Sequence, residues 1–363
     1  MIKRELKILL LGQNYGTSRH RADALRRIGH EVEVMDPWKF LPQQRFIQSA
    51  IGKLTYEIGS FFIELYVKYQ ISRRLNGRRF DIIWSNQCEL VGENTVQLLK
   101  KHANRLVTYA NDDPFGPRDN KRFSLYRNSL KYYDLMAVVR KPNVSEAYAH
   151  GLKKVSLVPF TADEIAHARL CIPSEEKSRW ASEVIFVGTW MPKRGSFISR
   201  LLQLGVPLSL YGNRWQKSAK WPILKSVWRG PGIVEHDYVK AIQSSRISLG
   251  LISKGNRDLH ARRSTEIPYI GSLLCAERTP EHLEMYKEDQ EAVFWESPEE
   301  CAEKCHALLM DEKKRKRIAY AGHRRCVASG YLNEPVMQQI LDDLSGCFPS
   351  PINHMTLKQQ TIS

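Results

Sequence analysis

Residues 6–35 read Leu6-Lys-Ile-Leu-Leu-Leu-Gly12-Gln-Asn-Tyr-Gly16-Thr-Ser-Arg-His20-Arg-Ala22-Asp-Ala-Leu25-Arg-Arg-Ile28-Gly29-His-Glu31-Val-Glu-Val-Met35. The apolar run Leu6–Leu11 ends at Gly12 and predicts a buried strand. Ala22, Leu25 and Ile28 share one face of the helix expected next, Gly29 closes it, and Glu31–Met35 returns as a second strand. Strand, glycine loop, helix and strand within thirty residues make a βαβ unit, so the sheet is expected to be parallel.

The pattern continues outward. Strands are predicted at Phe80–Trp84, Arg105–Tyr109, Leu135–Val139 and Lys154–Val158, with a helix at Glu93–His102. Residues 159–180 lose periodicity and read as a linker. A second series begins at Val184-Ile-Phe-Val-Gly188 and runs through Leu208–Gly212, a helix from His236 to Ser244, and strands at Arg246–Leu251 and Ser272–Ala276. Ser297-Pro-Glu-Glu300 is a helix-starting capping box, and a last helix is expected over 333–344. The fold class is therefore α/β, with a first domain over 1–160, a second over 181–332, and a polar tail from 347 to 363.

With 363 residues the chain accommodates two such domains, and 42% apolar content supplies their cores. The net charge of +16 points to a polyanionic partner: a phosphorylated small molecule, an anionic membrane or nucleic acid. The nucleic-acid reading lacks a recognised module. The seven scattered cysteines argue against a disulfide framework, and no uncharged run is long enough to span a bilayer. With no cleavage site after its basic start, the chain reads as cytoplasmic.

Candidate chemistry falls in four places. Gly12 and Gly16, with His20 beyond them, form a loop after the first strand, but their spacing is not that of a dinucleotide fingerprint. Asp112-Asp113-Pro114 follows a strand; either carboxylate suits an acceptor hydroxyl, and an Asx turn is the equal alternative. Gly188-Thr189-Trp-Met-Pro-Lys193-Arg194 joins a strand end to a helix start beside two cations, as a phosphate requires. Gly255–Gly271 mixes Asp258 and Glu266 with Arg262, Arg263 and Ser264. Cys301 and Cys305 follow helical spacing and read as core, so no metal is expected. Across 38–110 there are 11 basic and 5 acidic residues, and the apolar positions from Phe46 to Tyr69 recur at helical spacing. That segment suits either a membrane-facing helix or one packed on the sheet.

These motifs resemble those of the CgeB/YkvP-type spore-protein glycosyltransferases, relatives of the family 4 retaining enzymes. The family's F-V-G-x-W-x-P-x-R is matched by Phe186–Arg194, its R-x-F-E-I-P-x-x-G by Arg263–Gly271, and its D-D-P-F by Asp112–Phe115. Arg317-Ile-Ala-Tyr-Ala-Gly322 echoes a further stretch. Two departures stand out: Asp258 occupies the first carboxylate position of E-x7-E, and Thr265 replaces a phenylalanine.

The resemblance implies a GT-B fold, two Rossmann-like domains facing across a cleft, with the last helix crossing back onto the first domain. It implies a metal-independent, retaining glycosyltransferase using a nucleotide-diphosphate sugar and no cofactor. Gly188, Thr189, Lys193, Arg194, Gly212, Arg263, Ser264 and Glu266 are the expected donor residues. Glu266 would hold the ribose, and Arg194 with Lys193 the diphosphate. Asp258, Asp112 and Asp113 are the catalytic candidates, and Gly12, Gly16 and His20 flank the acceptor, a glycan, a lipid-linked saccharide or a protein. A catalytically inactive sugar-binding protein is the alternative, favoured by Asp258 and Thr265. Peripheral contact with the inner membrane face fits the basic surplus.

Overall fold

The structure, a computed structural model, describes residues 4–346; the expected tail over 347–363 lies outside them. The described chain divides into two compact domains. Residues 4–159, Ser253–Asp258 and 333–346 form the first; Phe160–Ile252 and Leu259–Leu332 form the second.

The first domain holds β1 (Lys7–Leu11), β2 (Glu31–Met35), β3 (Phe80–Ser85), β4 (Ala103–Ala110), β5 (Leu135–Val138) and β6 (Val155–Leu157). They pair in parallel in the order β2-β1-β3-β4-β5-β6. Ile8 to Leu11 are fully buried. An unbroken apolar run, without alternation, is what a strand covered on both faces requires. The order reverses between β1 and β3, so the crevice beyond their carboxyl ends is the expected ligand position. The helix Asn333–Ser345 belongs to this domain. It packs on the helix Gly16–Arg27 through an Arg27–Glu334 ion pair at 2.5 Å, and its Asp343 accepts from Ser156 on β6 at 2.5 Å.

The second domain holds β7 (Ser182–Val187), β8 (Leu208–Tyr211), β9 (Trp228–Gly230), β10 (Ser245–Gly250), β11 (Leu273–Glu277) and β12 (Val293–Trp295). These are also parallel, in the order β12-β11-β10-β7-β8-β9, with the reversal between β7 and β10. β9 and β12 escape a sequence reading because three residues display no period. The linker expected over 159–180 is instead part of this domain. Asp163 accepts the backbone N–H groups of Ile165 and Ala166, and the helix Ser174–Trp180 ends on buried Trp180, which joins the core beside Ile185 and Val187.

Candidate functional site

At the carboxyl end of β7 the chain turns into the helix Pro192–Gln203. Arg194 lies in its first turn and donates to the Thr189, Leu251 and Ile252 carbonyls at 2.9, 3.1 and 3.3 Å, lashing the end of β7 to the segment after β10. Thr189 and Lys193 stay exposed beside the same helix start. The neighbouring strand closes in tightly: the indole of Trp215 donates to the Gly188 carbonyl at 2.9 Å, and a Cβ at Gly212 would collide with that oxygen. Only glycine fits there.

The helix Arg263–Ile270, ended by Gly271 at φ +94°, supplies the anionic side. Glu266 is buried and accepts from Tyr238 Oη at 3.0 Å and from Arg263; His167 Nε2 lies 3.6 Å from its other oxygen. Burial pushes the Glu266 carboxyl upward, but Arg263, His167 and Arg262 overcome it and hold it down at about 2. Arg263 also donates to the Val187 carbonyl at 3.3 Å and lies over the Tyr238 ring at 4.3 Å. Ser264 is turned inward: its hydroxyl bonds His282 Nε2 at 2.7 Å, and burial lowers His282 to about 4. Gly188, Thr189, Arg194, Arg263 and Glu266 are thus gathered at the β7–β10 reversal. Ser264 is a support behind them. Tyr238 and His167, absent from the sequence reading, lie 28 and 99 residues from Glu266 and carry no local motif.

In the first domain, the ends of β3 and β4 are tied by buried Arg21, which donates to Asn86 and Asn111 at 2.7 Å each and stacks on Tyr109 at 3.6 Å. Beyond these ends lies a cavity of about 200 Å³, bordered by Gly12, Asn86, Asp112 and Arg122. A second, of about 570 Å³, shares Gln13, Asp36, Trp38, Glu89 and Arg122 with it. Carboxylates, amides and aromatic faces line both, the mixture that holds sugar hydroxyls and their C–H faces. Burial raises Asp36 above the ordinary carboxylate range, although its carboxylate accepts the Trp38 N–H at 3.0 Å. Gly16 opens the helix Gly16–Arg27 at φ +56°, and His20 sits half-buried on it.

The acidic pair has two different environments. Asp112 borders the cavity; burial pushes it up, and Arg118 and Arg122 bring it below the usual range. Asp113 is buried and fully engaged. Its carboxylate accepts from Asn143 at 2.9 Å, from the N–H groups of Phe115 and Gly116 at 3.1 and 3.0 Å, and from Arg257 at 2.5 and 2.9 Å. The Asx turn, the alternative weighed for this tetrad, is present. Arg257 also bridges to Glu146 at 2.8 Å, and Asn256 donates to Asp112 at 3.1 Å. Asp258 pairs with buried Arg140 at 2.6 Å. The segment Ser253–Asp258 is therefore held in the first domain, whereas Glu266 of the same charged stretch lies in the second.

Cys275 on β11 joins Cys301 and Cys305 on the helix Pro298–Met310, all buried with sulfurs within 4.8 Å of one another. Among the described residues this trio has the proximity to ligate a soft metal ion. The spacing of Cys301 and Cys305 alone conceals it, because the third thiol comes from a strand 26 residues earlier.

A model of the family described as glycosyl transferase-like matches residues 194–342. Solved structures share the architecture over most of the chain. HepE of Anabaena, in complex with UDP-glucose, superposes with a TM-score of 0.64 at 12% identity, covering 94% of this chain and 100% of its own. A glycosyltransferase from Rickettsia africae gives 0.65 at 12%, covering 96% and 100%. Sucrose-phosphate synthase from Thermosynechococcus elongatus gives 0.61 at 12%, covering 95% and 100%. The fold is GT-B. No curated protein matches the chain in sequence.

Proposed function

We propose that the protein is a glycosyltransferase that moves a sugar from a nucleotide-diphosphate donor, held by the second domain, to a saccharide acceptor held by the first. The observation that carries this reading is the cluster at the β7–β10 reversal. Arg263, which keeps the buried Glu266 carboxylate ionised, also donates to the Val187 carbonyl at the end of β7, and exposed Thr189 and Lys193 follow that strand end at the start of a twelve-residue helix. UDP-sugar complexes of structural neighbours and the family match over 194–342 support it. The motifs at Phe186–Arg194 and Arg263–Gly271 support the narrower kinship with the CgeB/YkvP-type enzymes.

Breaking the sugar–phosphate bond builds negative charge on the departing diphosphate. The helix N-terminus, Lys193 and Arg263 stabilise that charge, so the protein's own cations serve where a divalent ion otherwise would. Glu266 accepts the ribose hydroxyls, and Arg194 acts by bracing the strand ends that shape the site. In the first domain Asp36 and Asp112 orient the acceptor. Asp113, saturated by Arg257 and Asn143, is assigned a structural role. Following the family 4 kinship of its motifs, we assign transfer with retention, the acceptor's proton leaving on the departing phosphate. Asp258 secures the Ser253–Asp258 segment through Arg140.

A thermal-shift screen against nucleoside diphosphates and their sugar conjugates tests the reading. One base's series should raise the melting temperature with the logarithm of ligand concentration, and Lys193→Ala should weaken that series by about tenfold or more. No shift with any nucleotide at millimolar concentration would favour the inactive sugar-binding alternative.

A further inference from the structure

The helices Arg45–Ile58 and Glu64–Leu75 of the first domain have two unlike faces. Inward, Val67, Ile71 and Leu75 join the core, with Ile51 packed against it; buried Glu64 accepts from the Thr95 N–H at 3.2 Å. The orientation of the pair is therefore set by packing. Outward, Phe46, Leu54, Ile58, Phe61, Phe62 and Leu65 are exposed, Phe46 by 74% and Leu65 by 70%. Phe61 and Phe62 sit in the turn between the helices, after Gly59.

Cations flank this apolar face. Residues 45–79 contain seven Lys or Arg and two acids, and one of those acids, Glu64, is buried. Arg73 lies over exposed Tyr69 at 5.8 Å, so cation and aromatic sit side by side there, as in an interfacial belt. A solvated helix face does not carry this many exposed aromatic and aliphatic side chains, and an acidic protein partner would not need them. The same helix Arg45–Ile58 turns Gln48, Gly52, Thr55 and Tyr56 toward the polar cavity of about 570 Å³. One helix thus has an apolar, cationic surface on one side and a sugar-compatible pocket on the other.

We propose that this face docks on an anionic lipid bilayer, and that the acceptor is a lipid-borne saccharide whose polar head enters the cavity beside Tyr56. The acceptor half rests on the glycosyltransferase reading; the docking half does not. Among the described residues no helix is long and apolar enough to cross a membrane, so the contact is peripheral. Each cation near an anionic surface strengthens binding about fivefold, and each buried aromatic ring about tenfold or more.

The test is flotation of the full chain with vesicles of phosphatidylcholine, alone or mixed with phosphatidylglycerol. Binding to the mixed vesicles only, weakened by salt and by about tenfold or more in Leu65→Asp and in Phe62→Ser, is the expected result. Both variants should keep the wild-type melting temperature and nucleotide response, since both side chains are exposed. Equal recovery of wild type and variants with the mixed vesicles, or no recovery at all, would overturn the docking. For the acceptor, the donor chosen by the thermal screen is supplied with a labelled sugar and vesicles of total membrane lipids from cells making the protein. Label should enter the organic phase, less so with Leu65→Asp. Label confined to water-soluble saccharides would overturn the lipid-borne acceptor. No label anywhere, with vesicle binding intact, would count against the glycosyltransferase reading and leave the docking standing.

Discussion

Arg140 and Asp258, 118 residues apart in sequence, form a buried ion pair at 2.6 Å, and Arg140 also donates to the Asn111 carbonyl at 3.1 Å. With Arg257–Asp113 and Asn256–Asp112, this pair holds the segment Ser253–Asp258 in the first domain. Losing one member leaves an uncompensated buried charge, which costs about 3–5 kcal/mol, whereas apolar replacement of both is often close to neutral. Asp258→Ala should therefore destabilise in urea by that amount, and Arg140→Met with Asp258→Leu should recover most of the loss. Additive losses would show that the two side chains act independently.

Glu266 is depressed in the folded state from 4.5 to about 2, a difference worth ~3 kcal/mol. A lowered folded value contributes stability that is fully present above pH 4.5 and is lost as pH falls toward about 2. Stability measured across that window should fall, and Glu266→Gln should flatten the fall while weakening every donor that shares the ribose. A donor effect confined to one sugar would contradict the ribose assignment.

His282 is held neutral by burial, its value lowered from 6.5 to about 4, with Glu277 O and Ser264 Oγ as partners at 2.6 and 2.7 Å. Protonation favours the unfolded chain, so this contribution is complete above pH 6.5 and lost as pH falls to about 4. His282→Gln should remove that slope from unfolding curves and leave the steeper loss at lower pH. An unchanged slope would mean that another group titrates there.

Gly212→Ala should separate the ends of β7 and β8, because the added methyl meets the Gly188 carbonyl and the Trp215 indole. Overpacking of this kind costs about 1–3 kcal/mol. Donor affinity should fall with stability, readable as a lower melting temperature and a smaller nucleotide shift. Wild-type values of both would show that the strand ends can part freely.

What was legible follows from how each feature is encoded. Ile8–Leu11 and Val184–Val187 announce themselves because strands covered on both faces need unbroken apolar runs, and glycines mark their ends. The Phe186–Arg194 and Arg263–Gly271 motifs are contiguous, so the gathering of Gly188, Arg194, Arg263 and Glu266 could be anticipated. Tyr238, His167, Arg21 and Arg140 could not, since each reaches its site by tertiary folding alone. Asp113 was ambiguous because an Asx turn and an open base have the same local sequence; Arg257, 144 residues away, distinguishes them. The segment from Phe46 to Tyr69 was read as membrane-facing or sheet-packed, and its inward face is packed on the core while its outward face is open.

The most direct test of the central claim, a nucleotide-sugar donor held by the second domain, is amide hydrogen exchange with and without a stabilising nucleotide sugar. The account predicts slowed exchange in peptides covering Val187–Gly195 and Leu259–Gly271, the segments proposed to hold the donor. Protection confined to the first domain, or none at millimolar nucleotide sugar, would contradict it.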